Sequence, residues 1–201
     1  MTTATQTHNS DIREHILETG QRIMAGKGFS AVGLNEILKD AGVPKGSFYH
    51  YFASKEAFGV DLLTRYFDDY LAELDSTLAQ PGITMAQRLM NYWQLWRETQ
   101  SFSECQGKCL AVKLGAEVAD LSDSMRLALK SGTSGIISRL AEALEIGIEE
   151  GSLTLDDQPG KVAESLYQLW VGASVMVKIV RNTEPFDSAM QMTRHIIHIS
   201  R

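Results

Sequence analysis

GVPKGSFYHYFASKEAF, residues 42–58, is the segment that decides the fold. Gly42 ends a short helical pattern, because a glycine just past the last turn tolerates the left-handed conformation that closes a helix. Pro44 fixes φ at a value suited to a first helical turn, so we predict a second short helix over about residues 45–51. A supporting helix, a tight glycine turn and a second short helix indicate a helix-turn-helix, whose second helix enters the major groove of DNA.

The residues upstream of this segment extend the pattern. Gly28-Phe29 is followed by VGLNEIL at residues 32–38, in the order of a connecting turn and a supporting helix. With these flanks, residues 10–60 resemble the DNA-binding signature of the TetR/AcrR family of one-component bacterial transcription regulators. The resemblance implies an N-terminal three-helix head, which binds double-stranded DNA, and a C-terminal helical domain, which dimerises and responds to a small molecule.

The resemblance also implies which residues meet DNA. Residues that begin the supporting and second helices would contact bases, and those that follow would contact phosphates, which position a helix without reading sequence. By position, the base contacts are Asn35, Lys45, Gly46 and Ser47, and the phosphate contacts are Tyr49, His50 and Lys55. Phe48 and Phe52 are expected in the core. The alternative for Tyr49, His50 and Tyr51 is that they are simple surface aromatics.

The charge distribution neither supports nor excludes DNA binding. The 201 residues carry a formal net charge of −6. The first 60 residues hold equal numbers of acidic and basic side chains, so the excess of acidic residues lies in the remainder. The DNA-binding prediction therefore depends on motif geometry and a small cluster of Lys45, His50 and Lys55, because the head lacks the basic stripe that many DNA-binding domains carry.

The rest of the chain predicts an all-α fold of about nine helices. Apolar residues recur at helical spacing, and no strand-like alternation appears. We predict a disordered tail over residues 1–9, a helix-turn-helix domain over 10–56 whose first helix begins at Ser10, and a regulatory and dimerisation domain over 57–201. A long fourth helix, capped by Ser54, would join the two domains. No apolar run is long enough to span a membrane and the N-terminus is not a signal peptide, so we expect a cytoplasmic protein.

Cys109 is the residue most suggestive of chemistry. We predict a polar loop over residues 101–108 and a helix from Cys109 to about Ala119, whose positive end would stabilise an accessible thiolate. Lys108 would lower the thiol pKa further. Such a thiolate attacks electrophiles or is oxidised to sulfenic acid. The segment from Gly107 to Ser122 resembles the electrophile- and oxidant-sensing members of the TetR/AcrR family, of the type that represses N-ethylmaleimide reductase operons.

That second resemblance implies that Cys109 and Lys178 form a sensing pair, but alternatives remain for each residue of the sensing domain. Cys109 is otherwise an ordinary buried residue, and Lys178 extends its charge to the surface. Cys105 is a resolving thiol or has no role. Aromatic residues at helical spacing line an inducer pocket or form plain core, and those we select as candidates are Trp93, Trp96 and Trp170.

These observations predict a homodimeric repressor that binds a palindromic operator and is released by a reactive electrophile or oxidant acting on Cys109. The two apolar C-terminal helices suit a two-fold dimer interface. A repressor with a noncovalent apolar inducer is the first alternative. A helical enzyme is a remote one, because no nucleophile motif or phosphate-binding glycine loop is present. Zinc bound by Cys105 and Cys109 is a weak alternative, so we expect no metal and no cofactor.

Overall fold

The computed structural model describes the backbone of residues 3–105 and 109–200 and the side chains of residues 11–101 and 109–200. The described chain forms nine helices and one pair of two-residue strands, which confirms the predicted all-α class. In chain order the elements are α1 (Thr3–Lys27), α2 (Leu34–Asp40), α3 (Lys45–Tyr51), α4 (Lys55–Leu78), α5 (Met85–Cys105), α6 (Leu110–Leu121), α7 (Asp123–Glu149), β1 (Leu153–Thr154), α8 (Pro159–Val180), α9 (Glu184–Ile196) and β2 (His198–Ile199).

The strand pair was not predicted. β1 and β2 run antiparallel, with Leu153 opposite Ile199 and Thr154 opposite His198. Two residues are too few to produce an alternating apolar pattern, so the sequence contains no periodic signal for either strand.

Three helix boundaries differ from the sequence predictions. α1 begins at Thr3, within the predicted disordered tail and seven residues before the predicted start at Ser10. Residues 3–10 contain neither glycine nor proline, so nothing in this segment interrupts helical hydrogen bonding. α5 continues to Cys105 through most of the predicted loop, and residues 106–108 lie outside the described part of the chain. α6 begins at Leu110, so Cys109 precedes the helix instead of lying in its first turn.

The chain divides into two compact units. The first contains Met1–Tyr66 and Lys113–Lys130, and the second contains Phe67–Val112 and Ser131–Arg201. The first unit therefore includes most of α6 and the beginning of α7 as well as the helix-turn-helix.

The turn between α2 and α3 has the predicted geometry. Gly42 has a φ of +66°. The amide of Val43 donates to the carbonyl of Leu38 at 2.9 Å, and the amide of Gly42 donates to the carbonyl of Lys39 at 3.3 Å. These two bonds form a Schellman motif, which satisfies carbonyls at the end of α2 and turns the chain into α3.

α3 is fixed by aromatic packing. The fully buried Phe48 ring lies 5.2 Å from that of Phe52 and 5.8 Å from that of Phe58, measured between ring centroids. The Phe52 and Phe58 rings meet edge to face at 5.0 Å. The hydroxyl of Ser54 accepts a hydrogen bond from the amide of Ala57 at 3.0 Å, which confirms the predicted cap of α4.

The second unit is centred on tryptophans from α5 and α8. Trp93 stacks on Trp170 with centroids 5.0 Å apart, and Trp170 also stacks on Phe186 of α9. The indole N–H of Trp170 donates to the hydroxyl of Thr193 at 2.9 Å. These contacts join α5, α8 and α9 through large buried surfaces. No helix in the described residues is both long and apolar enough to cross a membrane.

Candidate DNA-binding surface and sensing site

α3 presents one side to solvent. Lys45, Gly46 and His50 are exposed, and 61% of Tyr49 is accessible. A Cβ atom added at Gly46 would meet no described residue within 4 Å, so the space beside Gly46 is open. Since the opposite side carries Phe48 into the aromatic core, α3 is held rigidly with its polar side outward.

The remaining predicted base-contacting residues border this surface. Asn35 is exposed on the first turn of α2, and Ser47 is half-buried on α3. The structure therefore brings six of the seven predicted DNA-binding residues to positions open to solvent. We name Asn35, Lys45, Gly46, Ser47, Tyr49 and His50 the α3 surface.

Lys55, the seventh, is engaged within the head. Its ammonium donates to the carbonyl of Phe29 at 2.8 Å and lies 4.6 Å from the centroid of the Phe29 ring. Partial burial lowers the pKa of Lys55, and the nearby Glu117 carboxylate opposes that change. The resemblance implied a phosphate contact for Lys55, whereas in this structure its ammonium holds the turn that follows α1.

Most other basic residues of the head are also paired. Arg13 contacts Asp61 at 2.6 Å, Arg22 contacts Asp40, and Lys27 contacts Glu36. Two lysines, at positions 39 and 45, are exposed and form no ion pair with any described residue. Lys39 was not among the predicted DNA contacts, and it lies exposed in the last turn of the supporting helix α2.

Cys109 lies at the residue before α6 and is buried. Only 4% of its surface is accessible, so the prediction of an accessible cysteine was wrong. The reason is packing, because the neighbouring Leu110 is fully buried, and Tyr92 and Tyr167, whose ionisation the cysteine affects, are buried as well. Burial is the main cause that raises the pKa of both phenols, and the adjacent cysteine adds to it.

The other proposed sensing residues lie on α5 and α8. Lys178 is half-buried in the last turn of α8. Cys105 ends α5, and its side chain lies outside the described part of the structure. Trp93 and Trp170 are fully buried and stacked, which is the core alternative for these two residues.

Trp96 differs because it lines a cavity. The cavity measures about 40 Å³, which is room for a few water molecules. Its wall contains Tyr70, Tyr92 and Glu73, and the two phenol oxygens are 2.8 Å apart. The indole N–H of Trp96 points elsewhere and donates to Ser174 at 3.0 Å. Tyr92 therefore lines this cavity and also lies close enough to Cys109 for the cysteine to affect its ionisation.

Comparison with known proteins agrees with this arrangement. Residues 16–59 match the family model described as bacterial regulatory proteins, tetR family, and residues 86–193 match that described as tetracyclin repressor-like, C-terminal domain. The chain belongs to the TetR family. It is a transcriptional repressor of that family, whose members are not enzymes.

Two curated TetR-family relatives span nearly the whole chain. The HTH-type transcriptional repressor NemR of Escherichia coli is 44% identical over 192 residues, which cover 93% of this chain and 94% of NemR. The HTH-type transcriptional repressor DhaR of a Mycobacterium species is 35% identical over 176 residues, which cover 88% of this chain and 87% of DhaR.

A solved structure gives the same result for the fold. The crystal structure of E. coli NemR in its reduced form superposes with a TM-score of 0.90 at 44% sequence identity, over 94% of this chain and 98% of that one. The match confirms the TetR-family fold, with an N-terminal helix-turn-helix and a C-terminal helical domain.

Glu117 of α6 is the polar residue that the sequence analysis missed. Its carboxylate accepts hydrogen bonds from the backbone amides of Phe29 at 3.1 Å and Ser30 at 2.6 Å. Partial burial would raise the pKa of Glu117, but the bonds from Ser30 and Phe29 and the charge of Lys55 outweigh it, so the pKa is lowered. No local pattern links residues 88 positions apart, so only the three-dimensional structure reveals this contact.

Proposed function

We propose that this TetR-family repressor binds a palindromic operator as a homodimer and is released when a reactive electrophile or oxidant modifies Cys109. The observation that carries the proposal is the position of Cys109, buried at the residue directly before α6. A change in size or charge at this buried sulfur cannot be accommodated without movement, because protein interiors are close-packed.

The α3 surface supports the DNA-binding part of the proposal. Its residues are held outward by a rigid aromatic core, and Lys45 has no acidic partner among the described residues. Residues at the start of a recognition helix meet base edges, whereas Tyr49 and His50 would position the helix on phosphates. A regulator that binds operator DNA acts in the cytoplasm, where that DNA lies.

The apolar side of α8 supports the dimer. Gly172, Val175, Met176 and Ile179 follow the helical spacing i, i+3, i+4, i+7, and all four are exposed. Gly172 has open space beyond its Cα, which lets a second helix approach closely. A continuous apolar side of this kind marks an interaction surface, and a second copy of the chain with two-fold symmetry would cover it.

The similarity to NemR supports a response to reactive compounds. NemR shares 44% of its aligned sequence with this chain, and its crystal structure is described as the reduced form. With hypochlorite, transfer of oxygen to the Cys109 thiolate gives a sulfenic acid and releases chloride. With a maleimide, the sulfur forms a C–S bond, and the carbon beside the carbonyl takes up a proton.

Lys178 is the residue we propose as partner of oxidised Cys109. Lysine amines hydrogen-bond to sulfenic acids, and a neutral amine attacks the sulfur to form an S–N bond with loss of water. Lys178 is half-buried in the last turn of α8, in the same unit of the chain as Cys109. Cys105 is the alternative partner, as a resolving thiol that would form a disulfide with Cys109.

The test is operator binding before and after treatment with N-ethylmaleimide or hypochlorite. Wild-type protein and Cys105→Ser are expected to release the DNA, and Cys109→Ser is expected to stay bound. Lys178→Met, which keeps the length and apolar stem of the side chain, distinguishes the two reagents: release by hypochlorite is weakened and release by maleimide is kept. Equal release of Cys109→Ser and wild type would remove Cys109 from the mechanism.

A noncovalent apolar inducer is the second candidate, favoured by the cavity beside Trp96. Its volume of about 40 Å³ admits only a small molecule unless its walls move. Leu95→Trp, which fills this cavity, is expected to abolish the response to such an inducer while leaving the response to maleimide. Loss of both responses would favour the cavity as the site of action.

A further inference from the structure

We infer that Glu117 transmits the modification of Cys109 to the DNA-binding head. Its carboxylate accepts hydrogen bonds from the turn between α1 and α2, and we call this contact the clasp. This inference rests on the proposed role of Cys109. Glu117 lies eight residues after Cys109, about 12 Å along a helix with a rise of 1.5 Å per residue. Because α6 is one continuous helix from Leu110 to Leu121, we expect a shift at its first turn to displace Glu117.

The clasp is specific in geometry. One carboxylate oxygen accepts from the amide of Phe29 and the other from the amide of Ser30, and the hydroxyl of Ser30 adds a further bond. Gly28, with φ of +92°, permits this approach: a Cβ atom at that position would lie 3.0 Å from the Glu117 carboxylate. Hydrogen bonds to an ionised acceptor are short and strong, and they weaken sharply when the geometry changes by a few tenths of an ångström.

The clasp also joins three elements of the head. The backbone amide of Phe29 is held by Glu117 of α6, and its carbonyl is held by Lys55 at the start of α4. The Phe29 ring is buried beneath the Lys55 ammonium. The turn that precedes the supporting helix α2 is thus fixed from both sides, and α2 in turn sets the position of α3 through the Schellman motif.

A second tie lies at the end of α6. The hydroxyls of Ser122 and Ser124 both donate to the carboxylate of Glu56, the latter at 2.8 Å. This tie holds the α6–α7 junction to the first turn of α4 and does not touch the α1–α2 turn. Removal of Glu117 therefore leaves the junction attached, and we expect the Glu117→Ala variant to fold.

The experiment measures operator affinity of the full chain before and after complete modification by N-ethylmaleimide. The ratio of the two dissociation constants is the coupling factor, for which regulatory proteins typically give about 5 to 150. Glu117→Ala is expected to weaken binding by the untreated protein and to bring the ratio close to 1. Asp120→Ala, which removes the same charge from an exposed site on the same helix, is the matched control and keeps the wild-type ratio.

Hydrogen exchange at the amides of Phe29 and Ser30 provides a second readout. Exchange is expected to rise in Glu117→Ala and in modified wild type, and to stay slow in Asp120→Ala. A Glu117→Ala variant with the wild-type coupling factor would overturn the inference while leaving the role of Cys109 intact.

Failure of wild type to respond would instead overturn the role of Cys109. The clasp is then tested by comparing untreated Glu117→Ala with untreated wild type. Weaker operator binding and faster hydrogen exchange at the amides of Phe29 and Ser30 in the variant would support it. Unchanged affinity and exchange contradict it.

Discussion

Gly132 lies where α7 passes the ring of Phe67 on α4, and its replacement by alanine tests the close packing of the second unit. A Cβ atom at Gly132 would fall 2.1, 2.2 and 2.4 Å from three ring carbons of Phe67. Carbon atoms in contact are normally about 3.5–4.0 Å apart, so either the ring or the helix must move by more than about 1 Å.

The magnitude follows from two opposing effects. Overpacking of a core costs about 1–3 kcal/mol, and alanine in place of glycine inside a helix contributes about 1 kcal/mol of stability. Because the added atom would overlap ring atoms and not the tip of a flexible side chain, we expect the cost at the upper end of its range. Gly132→Ala is then destabilised by about 1–2 kcal/mol, which lowers Tm by roughly 2–8 °C in a chain of this size.

Gly135→Ala is the matched control on the same helix. Its added Cβ atom would meet the ends of two flexible side chains, Leu71 at 3.3 Å and Arg139 at 3.9 Å. The helix-propensity gain should therefore dominate, and Tm is expected to rise by about 2–4 °C. Thermal unfolding followed by circular dichroism measures both variants. A Gly132→Ala protein as stable as wild type would refute the close approach of α7 to Phe67.

Three further predictions concern the chemistry and assembly of the second unit. Burial raises the pKa of Tyr92 and Tyr167 in the folded state, so the unfolded chain loses these two protons at a lower pH than the folded chain does. The free energy of unfolding should therefore be unaffected below the ordinary tyrosine pKa of about 10 and should fall as the pH rises beyond it. Ultraviolet titration should show Tyr92 and Tyr167 ionising only on unfolding, and Tyr167→Phe should remove one of these two late-ionising phenols. In a Cys105→Ser background, we compare the rates at which Cys109 reacts with two reagents in folded and in unfolded protein. Because Cys109 is buried, folding should slow its reaction with a bulky aromatic disulfide about tenfold more than its reaction with a small maleimide. Equal slowing would mean that the thiol reacts only after the surrounding structure opens. Ile179→Lys, at a residue 66% exposed, should yield folded monomers in light scattering, and a persistent dimer would place the interface elsewhere.

The local features of the head were predictable because short-range rules determine them. Gly42 required a left-handed conformation, Pro44 suited a first helical turn, and α3 spans the predicted residues 45–51. The apolar side of the supporting helix, Ile37 and Leu38, followed from spacing alone.

The electrostatic environment of the candidate sites was not predictable in the same way. Lys55 occurs in a motif that suggested a phosphate contact, yet its ammonium bonds to a carbonyl 26 residues away. Cys109 adjoins a polar segment in the sequence, but tertiary packing buries its side chain. Glu117 acts on residues 88 positions earlier. Each outcome depends on which distant residue lies nearby, and helical periodicity does not encode that information.

In the mechanism that we propose, modification of Cys109 itself controls operator binding. It is tested most directly by treating DNA-bound wild-type protein with increasing N-ethylmaleimide and measuring two quantities on each sample: the fraction of operator released and, by peptide mass spectrometry, the fraction of Cys109 and of Cys105 modified. We expect the released fraction to rise with the modified fraction of Cys109 and to be independent of Cys105 modification. Complete modification of Cys109 with the operator still bound would contradict it.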